Sequence, residues 1–138
     1  MIPAKKKTIH IFGNPLLDFD NLPIKLAPKI EKLFPGIDFV ITDPSENLEP
    51  IDGELIIIDT VEGAKKVVVI DDLEKLETNK IYSLHDFDLA FNLKLLQKIG
   101  KLRKVKIFGV PMNSDEEEIL EQLTKLIFIE SPPFIKGE

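Results

Sequence analysis

Residues Leu55-Ile56-Ile57-Ile58 are apolar at four successive positions, and the run is closed by Asp59. A half-exposed strand alternates apolar with polar residues. An unbroken run rich in β-branched residues therefore predicts a strand covered on both faces, in the middle of a parallel sheet. The rest of the chain follows the same order, apolar runs alternating with helical patterns, as expected for a largely parallel sheet flanked by helices. Thr8 to Phe12 reads as the first strand, stopped by Gly13-Asn14-Pro15, a turn tripeptide that cannot continue a ladder. A helix is expected from Leu22 to Phe34. There Leu22, Leu26, Ile30, Leu33 and Phe34 share one face, Pro23 suits the first turn, and Pro35-Gly36 ends the element.

Ile37 to Ile41 forms a second strand, and the segment from Thr42 to Asp52 carries turn-forming residues. Val67 to Ile70 is a further short strand. A helix runs from about Asp86 to Ile99, with Leu89, Leu93, Leu96 and Phe91 toward the sheet and Gly100 as its stop. Val105 to Val110 is the last strand, broken by Pro111. Ser114 with Glu117 three residues on forms a capping box that opens a final helix to about Phe128. The tail, residues 131–138, is expected to be loosely held. The expectation is an α/β fold, a three-layer α/β/α sandwich on a mostly parallel sheet of about five strands.

A chain of 138 residues suits one domain spanning 1–138. Its formal charge of -6 disfavours nucleic acid and anionic lipid as partners. Lys5-Lys6-Lys7, the one compact basic cluster, reads as solubility and edge protection beside the first strand. With no Cys, the chain has no disulfide, thiolate nucleophile or Cys-ligated metal centre, so any metal must be held by His and carboxylates. No apolar run approaches the roughly 18 residues that span a bilayer, and no signal-peptide core leads the chain, so a cytosolic protein without a membrane partner is expected.

In an open α/β sheet, reactive groups gather at the carboxyl ends of strands, where loops converge and helix N-termini point. Asp20, after the first strand, Asp59, at the end of the apolar run, and His85, just before a helix, meet that condition. Two carboxylates and an imidazole suit a borderline divalent ion such as nickel, zinc, iron or manganese, and three ligands leave coordination positions open for substrate. The same residue types also serve as caps and turn formers: His85 or Asp86 would cap the helix, and Asp18 would replace Asp20 if the loop were shifted. His10, between Ile9 and Ile11, reads as a solvated or hydrogen-bonded face residue and not as a ligand.

Several motifs carry a resemblance. Gly13-Asn14-Pro15-Leu16-Leu17-Asp18-Phe19-Asp20 resembles the opening motif of the hydrogenase maturation proteases, with Asp20 on the second of two acidic positions. Leu55 to Asp59 resembles the family's apolar strand ending in an acidic ligand, and Ser83-Leu84-His85 with Leu89 and Leu93 resembles its Ser-x-His helix entry. Ile107-Phe108-Gly109-Val110-Pro111 resembles its later strand. Phe19 stands where the family has an acid, Asn21 where it has Gly, and Asp43 to Asn47 replaces a Gly- and Thr-rich stretch.

The resemblance implies a phosphorylase/hydrolase-like fold. It further implies an endopeptidase that removes the C-terminal extension of a nickel–iron hydrogenase large-subunit precursor after nickel insertion. Asp20, Asp59 and His85 would be both catalytic and metal-facing, with Gly13 and Asn14 shaping the cleft. Nickel would belong to the precursor, other divalent metals would be able to substitute for it, and the enzyme would be a monomer or weak oligomer. A covalent acyl-enzyme is disfavoured, since there is no Cys and no recognisable Ser–His pair. Two other readings stand beside this one: a non-hydrolytic nickel or precursor chaperone on the same fold, and a different hydrolase of similar architecture.

Overall fold

In the computed structural model the described residues are 7–13, 21–43, 48–77, 83–84, 87–112 and 114–130. The strands are β1 (Lys7–Ile11), β2 (Ile37–Ile41), β3 (Glu54–Glu62), β4 (Val68–Ile70), β5 (Ser83–Leu84) and β6 (Lys104–Pro111). The helices are α1 (Leu22–Leu33), α2 (Glu74–Glu77), α3 (Phe87–Lys98) and α4 (Glu116–Glu130). The sheet runs β2-β1-β3-β6-β4, with β5 set against β3. β1 lies parallel to β2 and β3, and β3 lies parallel to β6; β4 and β5 are antiparallel additions.

The apolar run does sit at the centre, and its alternating side chains build two cores. Ile58 joins Ile9, Ile11, Phe108 and Val110 beneath α1 and α4, through Leu26, Ile30, Ile119, Leu123 and Ile127. Ile57 and Val61 join Phe12, Leu55 and Ile107 beneath α3, through Leu89 and Leu93. Helices thus cover both faces, giving the expected three layers. Each fully buried Leu or Ile in these cores contributes about 1.5–3 kcal/mol relative to exposure.

Several expectations are corrected. Asp59 does not end its strand: β3 continues to Glu62, because β6 pairs with it as far as Val61↔Pro111 and β5 pairs with Val61 and Glu62. β1 is interior, between β2 and β3, so Lys7 guards no edge. Leu33 and Phe91 are 53% and 60% exposed, outside the buried faces of their helices. At the start of α4 the cap is Asp115, whose Oδ2 accepts from the Glu118 amide at 3.0 Å, while the Ser114 hydroxyl donates to Met112 O at 3.2 Å. α1 also holds Pro28 in its interior, where the ring removes one helical hydrogen bond. The tail lies outside the described residues.

Candidate functional site

The two ladders on one side of β3 are interrupted. β1 pairs with β3 as far as Ile11↔Ile58, and the chain leaves it with the Phe12 amide donating to Ile58 O at 2.9 Å. β5 takes up the same strand from Val61. Asp59 and Thr60 fill the two-residue interval between those ladders.

The chain leaves β1 through Phe12 and Gly13, beside Ile58, and the segment containing Asp20 ends at Asn21, which opens α1. From the other flank, Leu84 of β5 pairs with Val61 and is followed by His85. Asn14, Asp18, Asp20 and His85 lie outside the described residues, so their side chains are not placed. What is placed is the frame: Phe12 on one flank and Leu84 on the other adjoin β3 on either side of Asp59 and Thr60.

Asp59 has no exposed surface. Alternation along β3 turns it, with Ile57 and Val61, toward the α3 face, and turns Thr60 toward α1 and α4. Its register neighbour on β6 is Gly109. A Cβ there would lie 2.8 Å from both γ-methyls of Val61 and 3.0 Å from Val68 Cγ2, so the close approach of these two valines to β6 requires glycine.

Two further polar groups at this end of the sheet were not among the expected site residues. Thr60 Oγ1 and Asn21 Oδ1 are buried and make no hydrogen bond among the described residues. Leaving such a group unsatisfied costs about 1–3 kcal/mol. The available signal was adjacency, since each directly follows an expected site residue. Asn21 opens α1 without a side-chain cap, its carbonyl accepting from the Lys25 amide at 2.9 Å.

His10 behaves as expected of a face residue. His10 Nδ1 and Thr42 Oγ1 share a 2.9 Å hydrogen bond, and the Thr42 hydroxyl also lies 3.3 Å from Val40 O. Among the described residues no three His, Asp or Glu side chains cluster closely enough to hold a metal, and two of the three expected ligands are not among them. Among the described residues no helix is long and apolar enough to cross a membrane.

Comparison with known proteins gives a consistent result. The chain is similar to the solution structure of an endopeptidase from Escherichia coli, at 21% identity and a TM-score of 0.56, over 90% of this chain and 94% of that one. It is also similar to the crystal structure of the hydrogenase 3 maturation protease, at 14% identity and a TM-score of 0.56, over 87% and 88% of the two chains. At these identities the likeness establishes the fold. Among curated proteins nothing matches. The hydrogenase maturation protease family model matches residues 42–136, a stretch that includes Asp59 and His85 and begins beyond Asp20. With that match over more than half its length, the chain belongs to the hydrogenase maturation protease family.

Proposed function

We propose that the protein is a processing endopeptidase that makes one cut, removing the C-terminal extension of a nickel–iron hydrogenase large-subunit precursor after nickel insertion. The observation that carries this reading is Asp59, a fully buried carboxylate in the interval of β3 between its pairing with β1 and its pairing with β5, the strands that in sequence precede Asp20 and His85. Family membership supports peptidase chemistry. Asp20, Asp59 and His85 engage the precursor's own nickel, which is part of the substrate, so that metal occupancy becomes the recognition token and apo precursor is ignored. Two carboxylates and an imidazole offer the oxygen and nitrogen donors that a borderline divalent ion accepts, and other divalent metals compete on the same terms.

Since Asp59 has no exposed surface, access to it requires a local rearrangement. Peptide hydrolysis then needs an activated water. One carboxylate takes its proton as general base, or the ion carried by the precursor polarises it. The reaction belongs in the cytosol, with the protein acting as a monomer or weak oligomer.

Mixing purified protein with metal-loaded and apo precursor, and following intact mass, tests this. The shortened product is expected from the loaded precursor alone, and equal cutting of both would remove the metal from recognition. His85→Ala, with its fold checked by circular dichroism, is expected to abolish processing. Retained cutting would take His85 out of the site. Binding of loaded precursor by the wild type without any mass change would select the chaperone reading instead.

A further inference from the structure

Burial without a partner sets two residues apart from the expected triad. Asn21 is 9% and Thr60 1% exposed, and among the described residues neither Asn21 Oδ1 nor Thr60 Oγ1 makes a hydrogen bond. Thr42, equally buried, shares its hydroxyl with His10 Nδ1 at 2.9 Å. A buried hydroxyl or carboxamide ordinarily holds a partner, because leaving water without one is costly, and an exception calls for a group that completes the bond.

The topology brings both exceptions to one end of one face. Alternation along β3 turns Thr60, like Ile58, toward α1 and α4. Because α1 joins the parallel strands β1 and β2, it must run back from their carboxyl end, and Asn21 stands at that end. Leu22, next to Asn21, packs on the core that holds Val110, and Val110 is the register partner of Thr60. As the N-cap of α1, Asn21 nevertheless makes no side-chain cap bond. The Thr60 backbone is also turned to the candidate site. Ile58 O accepts the Phe12 amide on the β1 side, and every second residue of a parallel ladder bonds the same neighbour. The Thr60 amide and carbonyl therefore face the interval between the β1 and β5 ladders that Thr60 shares with Asp59.

We infer that Thr60 and Asn21 bind the main chain of the precursor's C-terminal extension beside the bond to be cut, which rests on the endopeptidase function above. The Thr60 hydroxyl donates to a carbonyl of the extension, and Asn21 Oδ1 accepts from one of its amides. A peptide offers one acceptor and one donor per residue whatever its side chains, so two neutral groups of this kind hold an extension without reading its sequence. Both groups are buried, so the extension reaches them only after a local rearrangement, as for Asp59. Binding there fixes the position of the cut bond relative to Asp59, the residue before Thr60. Neither side chain takes up a proton in the reaction.

The test reads stability and turnover together, because a binding role and a structural role move them differently. Thr60→Val exchanges a hydroxyl for a methyl of similar shape, and Asn21→Gly removes the carboxamide at a helix position where glycine is tolerated. With the hydroxyl idle in the free protein, Thr60→Val leaves the melting temperature unchanged or raised. On metal-loaded precursor its kcat/KM falls about tenfold or more. Thr60→Ser keeps the hydroxyl and stays within about threefold of wild type. Asn21→Gly loses kcat/KM in the same way with little change in melting temperature. A melting temperature lowered by Thr60→Val, loss of folding included, would assign the hydroxyl to a bond within the fold or to an internal water, and would overturn its binding role. A serine variant as slow as the valine variant would overturn it too. Unchanged kcat/KM in either Thr60→Val or Asn21→Gly removes that residue from substrate binding. A wild type that neither binds nor cuts the precursor ends the endopeptidase reading and this inference with it. Cutting by the wild type and by unimpaired variants alike ends this inference alone.

Discussion

Glycine at position 109 is what allows the Val61 and Val68 side chains to pack closely over β6, next to Asp59 in register. The residue is its register partner on β6, and an added Cβ would press on both γ-methyls of Val61 at 2.8 Å and on Val68 Cγ2 at 3.0 Å. Val61 is fully buried and stiff about χ1, so it has little room to yield. Gly109→Ala is accordingly expected to lose about 1–3 kcal/mol of stability by overpacking. Urea denaturation checks this, and an unchanged midpoint would mean that the strands have slack to give. Asp59 itself was legible in the sequence, since a lone carboxylate closing an apolar run is conspicuous. Thr60 was not, because Thr is an ordinary strand residue and only burial without a partner distinguishes it. The roles of Asp20 and His85 came from motif order, and both lie outside the described residues.

At the scale of single elements, α4 shows how a correct signal can be read one residue out of register. Ser114 with Glu117 and Asp115 with Glu118 both fit a cap followed three residues later by an acid, and the chain uses the second pair. Asp115→Ala therefore removes the acceptor of the Glu118 amide and is expected to cost about 1 kcal/mol. Ser114→Ala should cost less, because that hydroxyl serves only Met112 O two residues back. Thermal melts of the two variants decide the matter, and a larger loss at Ser114 would reverse the assignment. Helix limits were otherwise readable, because Pro35-Gly36 and Gly100 punctuate the chain locally; Gly100 indeed adopts a positive φ of 83°. The direction of β4 and the length of β3 were not, since both are set by pairing with β6, which no local pattern encodes. Periodicity gave each helix an apolar arc, but it did not reveal which part of the arc a neighbour covers, so Leu33 and Phe91 fell outside it.

Taken as one body, the molecule has an apolar centre covered from both sides, with ionisable groups drawn inward at both ends of the sheet. Asp59 occupies the carboxyl end, where the candidate site lies. Lys7, half-buried at the amino end, shares a cavity with Glu54, Asp71, Arg103, Lys106 and Glu130. Desolvation by burial is the main cause that lowers the Lys7 pKa below its ordinary 10.5, with nearby Glu54 opposing the shift and Lys106 adding to it. Between the lowered value and 10.5 the unfolded chain holds a proton that the folded chain has released, so stability rises with pH across that window. Below the window both states are charged, and the folded state carries the whole burial penalty. Lys7→Met keeps an apolar stem of similar reach and removes the ammonium, so it is expected to raise the melting temperature near neutral pH. That advantage should shrink as pH climbs toward 10.5, because the wild-type lysine then sheds its charge in the folded state. Paired melts of the two proteins at about pH 7 and about pH 10 measure the effect directly. An advantage that stayed constant or grew with pH would show that something other than the buried charge sets it.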